Sequence, residues 1–307
     1  MNQTSDDRAI PPLPALPLEA WEQSKITLHM YAQIVGKIRL ALMPKRNHWW
    51  HAPLYVYSRG WTTGPIPWSD FRFEIVFDLL DHELRIMTTR GERLTMPLGG
   101  SVADFHSGLF SLLATLGVHP EIKAVPYDQP FTTPFAEDRE HASYDRDFVT
   151  RLARIHAWTD VVFWKFSGRF TGKTSPIHLF WHSFDLAVTR FSGRPAPPME
   201  AANRVNREAY SHEVVSFGFW AGDTKIRYPA YYAYAHPEPS GLRETPLEPS
   251  DACWIEQNGG SLAILPYEAL NTSPDPERRL LDFLESAYQA GARLGNWDIE
   301  GLTARNL

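Results

Sequence analysis

Acid–base side chains lie in segments of this sequence that otherwise resemble apolar strands. Asp185 lies in HSFDLAVTRF, and His212 and Glu213 open HEVVSFGFW. A buried carboxylate needs a partner, because burial without one is costly and raises the pKa of the group. A histidine, with an ordinary pKa of about 6.5, can exchange protons with such a carboxylate near neutral pH. We therefore predict His212, Glu213, Asp185 and His29 as catalytic acid–base residues.

Other polar and aromatic residues suggest a binding pocket. His29, Gln33 and Lys37 are spaced four apart, so they form one stripe on a helix, facing either solvent or a polar cavity. Lys173 lies in GRFTGKT, which lacks the glycine spacing of a phosphate-binding loop but carries positive charge suited to an anionic group. The predicted binding residues are Gln33, Lys37, Asn47, His48, Trp50, His51, Lys173, His178, Trp181, Arg190 and Tyr232.

Histidine spacing does not favour a metal site within one element. His212 and Glu213 are adjacent, so their side chains point to opposite faces of a strand. His178 and His182 would lie about 13 Å apart along a strand. A site assembled across elements from His29, His48 or His51, and His212 stays open as an alternative. We predict no metal and no other cofactor.

Composition limits the class of protein. The 307 residues carry a net charge of −6 without a basic run, which argues against a nucleic-acid partner. The single Cys253 excludes an intrachain disulfide, and no GxSxG hydrolase motif occurs. The N-terminus lacks the features of a signal peptide, and no segment reaches membrane-spanning length, so we expect a cytoplasmic protein without membrane contact. The sequence does not fix the oligomeric state.

Apolar periodicity predicts the elements that position these residues. A first helix is expected from Leu18 to about Val35, ended by Gly36, with a strand over residues 38–42. An antiparallel meander follows over residues 47–97, then a helix from Val102 to Leu116. A long helix is expected from Tyr144 to Trp164 with Ser143 as its N-cap. This order indicates an α+β fold.

The two halves of the sequence correspond in order. Placing Trp181 over Trp50 also places Glu213 over Glu74, and the hairpin at 254–266 matches the one at 85–97. We predict a tandem duplication of a helix, antiparallel meander and helix unit, although hairpins can also resemble each other by composition alone. The sheets would be continuous or face to face, in a saddle or helix-grip-like arrangement by analogy.

The predicted boundaries follow from this duplication. Residues 1–16 form a proline-rich tail that either lies on the surface or is disordered. Residues 17–125 form the first repeat, and residues 126–142 form a connector. Residues 143–307 form the second repeat with an insertion at 194–210, packed with the first as one unit.

The chain resembles the domain of unknown function 5996 family from residue 18 to about residue 300. The resembling motifs are LHMYAQIVGK, NHWWHAPLYV, SVADF, HASYD, FWHSFDLAVTRFSGR, EAYSHE and YAYAHPEP. His182 and His236 look like departures from the family pattern and are therefore poor candidates for a shared site. The resemblance implies bacterial relatives and no particular reaction.

Two classes of function stay open from the sequence. The first is an enzyme or binder that acts on a small polar molecule through histidine and carboxylate groups, in an aromatic-walled pocket between the repeats. Hydrolase or lyase chemistry without a metal fits these residues. The alternative is a non-catalytic interaction or scaffold module, whose buried polar residues brace the sheet.

Overall fold

The computed structural model describes residues 13–257 and 259–304, and it confirms the α+β class. Its helices are α1 Glu22–Leu42, α2 Val102–Thr115, α3 Arg146–Gly168, α4 Arg204–Ala209, α5 Glu268–Asn271, α6 Pro276–Leu294 and α7 Ile299–Leu302. The strands are β1 Tyr55–Tyr57, β2 Gly60–Thr62, β3 Ile66–Trp68, β4 Phe71–Asp78, β5 Glu83–Thr88, β6 Arg93–Pro97, β7 His178–Phe180, β8 Asp185–Pro195, β9 His212–Trp220, β10 Ala230–His236, β11 Cys253–Gln257 and β12 Gly260–Pro266. They form two six-stranded antiparallel sheets, the first from β1–β6 and the second from β7–β12.

The first helix is longer than predicted, and the strand predicted over residues 38–42 is wrong. α1 continues through Gly36 to Leu42. Glycine inside a helix costs about 1 kcal/mol relative to alanine. The Trp181 ring occupies the space that a side chain at position 36 would need. Tertiary packing therefore explains both the glycine and the continuous helix.

The predicted meander is confirmed as the first sheet. Its strands run in the order β1-β2-β4-β5-β6, and β3 also pairs with β4. The following helix, α2, begins with a capping box in which the Ser101 hydroxyl accepts from the Asp104 N–H at 3.1 Å. The N-cap of α3 is Asp145 rather than the predicted Ser143. The Asp145 carboxylate accepts hydrogen bonds from two backbone N–H groups. Its negative charge is also favourable at a helix N-terminus, and the neutral hydroxyl of a serine lacks that charge.

The two sheets meet edge to edge. The second sheet has the order β11-β12-β10-β9-β8-β7, so β7 is its edge strand, and β1 is the edge of the first sheet. The Leu54 N–H donates to the Leu179 carbonyl at 3.0 Å, and the Leu179 N–H donates to the Leu54 carbonyl at 2.8 Å. This isolated bridge of one residue pair joins the edges of the two sheets.

One hydrophobic core extends across this junction. α3 packs against both sheets, since Trp61 of β2 contacts His156 and Phe217 of β9 contacts Phe166. α6 packs on the same face of the second sheet, where Gly291 approaches Val215. α3 and α6 thus cover one face of the second sheet. Asp185 and Ser216 lie on the opposite face, which these two helices do not cover.

The duplication is not confirmed. Trp50 follows a short 3₁₀ turn ahead of β1, whereas Trp181 lies in the turn after β7. The hairpins β5–β6 and β11–β12, which the duplication would equate, also differ in which of their two strands lies inside the sheet. β5, the first strand of one hairpin, lies inside its sheet, but β12, the second strand of the other hairpin, takes the inner position.

The predicted tail is only partly described. Residues 1–12 lie outside the described residues. Leu16 is buried, and the Tyr267 hydroxyl donates to the Pro14 carbonyl at 2.8 Å. Residues 13–16 therefore belong to the packed body of the protein.

Candidate functional site

The polar stripe of α1 points into the protein and holds two loops by their backbones. His29, Gln33 and Lys37 are all buried. The His29 Nε2 atom lies 2.9 Å from the carbonyl oxygen of Trp181, in the turn between β7 and β8. The Gln33 amide donates to the Tyr127 carbonyl at 2.9 Å and accepts from the Tyr127 N–H at 2.8 Å. Both residues therefore position loops.

The hydrogen bonds of His29 define its protonation state. Burial lowers the pKa of His29 to about 3, so its ring is neutral at pH 7. A neutral imidazole has one ring proton, and a carbonyl oxygen can only accept, so we assign the proton to Nε2. The Gln33 Nε2 atom lies 3.2 Å from this nitrogen, but both atoms are then donors. His29 thus acts as a donor that anchors the turn.

Trp181 fixes the same turn on α1. A β-carbon at Gly36 would lie 2.2 Å from the indole Cγ, so the ring can pack directly on the helix backbone. The indole N–H donates to the Ala52 carbonyl at 3.0 Å. The Lys37 Nζ atom lies 5.7 Å from the centre of the same ring, and burial lowers the pKa of Lys37. This lysine stabilises the indole by a cation–π contact.

A row of four residues crosses the second sheet beside this turn. Strand pairing aligns His178, Ala187, Gly218 and Tyr232 on β7 to β10. The Tyr232 ring covers Gly218, where a β-carbon would lie 2.4 Å from the tyrosine hydroxyl. That hydroxyl reaches across the strand and donates to Asp185. Two small residues at the centre of the row thus allow the tyrosine to reach the carboxylate.

Asp185 is held as a hydrogen-bond acceptor. Its side chain is buried and accepts from the hydroxyls of Tyr232 and Ser183. Burial and the charge of Asp185 raise the pKa of Tyr232 well above its ordinary value, so the tyrosine keeps its proton. The carboxylate is therefore satisfied and oriented without a basic partner.

His182 lies in the β7–β8 turn between two carboxylate-bearing segments. Its ring contacts Phe180 at 5.4 Å and Tyr127 at 6.0 Å between centroids, and it is partly exposed. Burial lowers the pKa of His182, whereas the charges of Asp185 and Asp128 raise it. His182 is thus a titratable group that solvent can reach. We call His178, His182, Asp185 and Tyr232 the turn site.

Both loops held by α1 contain a non-glycine residue in the left-handed region. Phe184 has φ 62° and Asp128 has φ 53°. A bulky residue such as phenylalanine rarely adopts this conformation, which costs about 1–3 kcal/mol. The Phe184 ring stacks on His29 at 4.8 Å, and this contact helps to hold the conformation. Such strain is concentrated in proteins at functional sites.

His178 carries an unsatisfied polar atom. It is 1% exposed, and its Nδ1 has no hydrogen-bond partner among the described residues. Burial lowers the pKa of His178 to about 3, so the ring is neutral. An unpaired buried polar group costs about 1–3 kcal/mol. Among the fully buried polar side-chain atoms of the described residues, this nitrogen is the one in the turn site without a hydrogen-bond partner.

A second polar cluster lies at the far end of β8. The Lys173 Nζ atom is 2.6 Å from the His48 Nε2 atom. The His48 ring lies 5.1 Å from Trp50 and 5.6 Å from His212. We call Lys173, His48, Trp50 and His212 the lysine site.

The structure does not gather the predicted catalytic residues into one pocket. Asp185 pairs with Trp220 at one end of β9, and His212 begins the same strand eight residues earlier. At about 3.3 Å per residue, roughly 26 Å separates them. His29 contacts the turn site, whereas His212 and Glu213 lie at the other end.

Glu213 and Arg190 have structural partners. Glu213 pairs with Arg194 at 2.7 Å, and Arg194 also donates to the Asn296 carbonyl at 3.1 Å. Arg190 donates to the Phe166 carbonyl at 2.5 Å and points to the opposite face of the sheet from Asp185, as the five-residue spacing indicates. Neither side chain contacts the turn site.

Asn47 and His51 flank the lysine site. Asn47 is exposed and begins a 3₁₀ turn. His51 is buried, and its Nδ1 accepts from the Arg46 N–H at 3.3 Å. Among the described residues, neither side chain has a hydrogen bond or ring contact with Lys173 or His48.

Family comparison agrees with the resemblance seen in the sequence. The model of a family of unknown function, DUF5996, matches residues 13–304. The chain belongs to the DUF5996 family. Comparison with the curated proteins and with the solved structures gave no match. Within the part of this DUF5996 chain that the structure describes, no helix is long and apolar enough to cross a membrane.

His182 of this DUF5996 protein looks like a departure from the family pattern, which made it a poor candidate for a shared site. A straight strand would also separate it from His178, but β7 ends at Phe180 and β8 begins at Asp185. The turn brings His178, His182 and Asp185 together. WHSF contains no glycine or proline, so only the cluster of three polar residues within eight positions could have indicated the site. Across residues 13–257 and 259–304, no group of three or more His, Cys, Asp or Glu side chains could hold a metal ion.

Proposed function

We propose that this protein binds a small polar molecule at the turn site, and that His182 and Asp185 act on it as acid–base groups without a metal. One observation carries the proposal. α1 holds two strained loops through His29 and Gln33, and these loops set the titratable His182 between the charges of Asp185 and Asp128.

The polar groups of the site favour a ligand that donates hydrogen bonds. Asp185 and Asp128 are acceptors, and the unpaired Nδ1 of neutral His178 donates or accepts according to its tautomer. Phe180 and Tyr127 provide aromatic walls. Carboxylates beside aromatic rings suit an amine or a polyol, because the rings attract cations and stack on the carbon faces of a polyol. An amine or a polyol is therefore the ligand class that we propose.

The proposed proton transfer follows from the charges. A neutral His182 imidazole accepts a proton from a bound hydroxyl or ammonium group, and the resulting imidazolium is stabilised by Asp185 and Asp128. Tyr232 keeps its proton and orients the Asp185 carboxylate. His29 and Gln33 are positioning residues, because they contact the loops through the backbone.

Histidine ring signals in NMR spectra test this proposal, with ethanolamine and mannitol as probes. We expect one of them to shift the His182 signals in a saturable way. Asp185→Asn should weaken binding at least tenfold, because the main acceptor loses its charge. Ser216→Ala is the matched control on the same sheet face, where Ser216 bonds Thr189 instead, and it should bind as the wild type does.

Two outcomes would contradict the proposal. The first is an unchanged His182 signal with both probes, and the second is equal binding by Asp185→Asn and the wild type. A fall in melting temperature of Asp185→Asn, without any probe binding in the wild type, would favour the scaffold function instead.

A further inference from the structure

In the lysine site, the Lys173 amine lies next to a ring nitrogen of His48 that can only accept a hydrogen bond from it. The His48 Nδ1 atom lies 3.2 Å from the Ala209 carbonyl oxygen, at the end of α4. A carbonyl only accepts, so Nδ1 carries the ring proton and the lone pair of Nε2 faces Lys173 at 2.6 Å. The helix in the insertion thus fixes the tautomer that makes His48 a proton acceptor for this lysine.

The surroundings of the amine are aromatic and lack a paired anion. The Lys173 Nζ atom lies 4.6 Å from the centre of the Phe191 ring and 5.3 Å from that of Trp50. Lys173 is exposed at the surface, but partial desolvation by its neighbours lowers its pKa, and no carboxylate of the described residues pairs with it. Lys45 differs, because it forms a salt bridge with Glu208 at 2.8 Å.

Backbone geometry at this cluster is also unusual. His48 and Trp49 are consecutive left-handed residues, with φ 51° and φ 61°. Each costs about 1–3 kcal/mol, which the surrounding structure has to offset. The Lys173 carbonyl accepts from the Phe191 N–H at 3.0 Å, so β8 fixes the lysine backbone. The protein therefore holds both partners in place at a cost in stability.

A surface groove lies within the insertion, close to the cluster in sequence. It has a volume of about 540 Å³ and is lined by residues 196–200, Arg207, Tyr210 and Ser211, so it ends one residue before His212. The Ser211 hydroxyl lies 3.1 Å from the His212 Nδ1 atom, and the His212 ring contacts His48. Ser211 therefore links this groove to the lysine site.

We propose that Lys173 is a nucleophilic amine that forms an imine with the carbonyl group of a small aromatic aldehyde or ketone. The amine nitrogen attacks the carbonyl carbon, and the proton that it releases passes to His48 Nε2. His48 returns this proton to the alkoxide oxygen, which gives the carbinolamine. Its hydroxyl takes up a proton from solvent and leaves as water, and the iminium nitrogen gives a proton back to solvent, so that one amine and one carbonyl give one imine and one water. Trp50 and Phe191 stack on the planar ligand.

This activity is independent of the function proposed for the turn site. Phe191 lies six residues from Asp185 along β8, about 20 Å at roughly 3.3 Å per residue. Either proposal can fail without the other.

Reductive trapping tests the reactivity of Lys173. The full chain is treated with benzaldehyde and sodium cyanoborohydride, and the modified lysines are mapped by peptide mass spectrometry. We expect Lys173 to react at least tenfold faster than Lys45. The midpoint of its rate against pH should lie below the ordinary pKa of a lysine amine, about 10.4.

Variants test whether the reactivity of Lys173 depends on His48 or only on exposure of the lysine. His48→Gln should slow labelling of Lys173 at least tenfold and leave Lys45 unchanged, because the proton acceptor is lost. His51→Gln is the matched control, since His51 is buried in the same segment but contacts the Arg46 backbone. Equal labelling of Lys173 and Lys45 in the wild type would overturn the proposal, and that comparison requires no variant. Equal effects of His48→Gln and His51→Gln would also overturn it.

Discussion

Some buried polar residues of this protein stabilise the fold, and Arg190 is an example. Its side chain is 2% exposed, and its guanidinium carbon lies 3.5 Å from the centre of the Phe166 ring and 4.4 Å from that of Tyr288. Its carboxylate partner, Glu285, is 3.6 Å away and 36% exposed. Burial lowers the pKa of Arg190 to about 10, so it remains charged at neutral pH. The rings and one carbonyl compensate this charge only in part.

We predict that truncation of Arg190 destabilises the protein much more than replacement by an apolar side chain of similar length. Arg190→Ala should lower the free energy of unfolding by about 3–5 kcal/mol, because it leaves a cavity among Phe166, Phe170 and Tyr288. Arg190→Met should lie within about 1.5 kcal/mol of the wild type, because it fills that space without a buried charge. Urea unfolding measures both values. Similar losses in the two variants would show that the charge itself is required.

At the scale of elements, α1 is organised by its contact with the β7–β8 turn. We predict that Gly36→Ala destabilises the protein by about 1–3 kcal/mol, because the new β-carbon would lie 2.2 Å from Trp181. This loss opposes the higher helix propensity of alanine. Gly168→Ala, at the end of α3, is the matched control, since nothing lies within 4 Å of its β-carbon. It should be neutral or stabilising.

Thermal and urea unfolding of the two alanine variants decide this prediction. The Gly36→Ala protein should also show an altered His182 ring signal in NMR, because Trp181 carries the turn in which His182 lies. Equal stability of Gly36→Ala and Gly168→Ala would mean that the indole moves without cost.

Local patterns predicted the elements whose geometry is local. The first sheet followed from alternation and turn residues, and the four-residue spacing of His29 and Gln33 showed which side of α1 is polar. Long-range contacts decided the rest. α1 passes Gly36 because Trp181, far away in sequence, packs there. The β7–β8 turn contains neither glycine nor proline, and Phe184 takes the left-handed conformation with its ring stacked on His29. The turn site was hidden for this reason.

At the scale of the whole molecule, neutral buried histidines connect different parts of the fold. His29 joins α1 to the β7–β8 turn, and His178 lies on β7 at the edge where the sheets meet. His156 of α3 accepts from the Trp61 indole N–H of β2 at 3.0 Å, which requires an unprotonated Nδ1. Burial lowers the pKa of all three histidines to about 3. Their protonation therefore opposes folding.

We predict cooperative unfolding in mild acid. The folded pKa values lie below the unfolded value of about 6.5, so the unfolded chain binds more protons and stability is lost as the pH falls from about 6.5 toward 3. Three such groups together would cost about 6 kcal/mol at pH 5 and about 10 kcal/mol at pH 4. Most domains have only about 5–15 kcal/mol of stability. Asp160, whose pKa burial raises to about 6, acts in the opposite direction but is partly exposed.

Substitution of one histidine tests this linkage. His156→Gln keeps an acceptor for Trp61 but cannot titrate, so the loss of unfolding free energy between pH 7 and pH 5 should be smaller by about 2 kcal/mol than in the wild type. Replacement of the exposed His119 by glutamine is the control and should leave the pH dependence unchanged. Urea unfolding at a series of pH values gives these slopes. The same slope for His156→Gln and wild type would show that a different group drives acid unfolding, since removing a buried neutral histidine must flatten the curve if its protonation opposes folding.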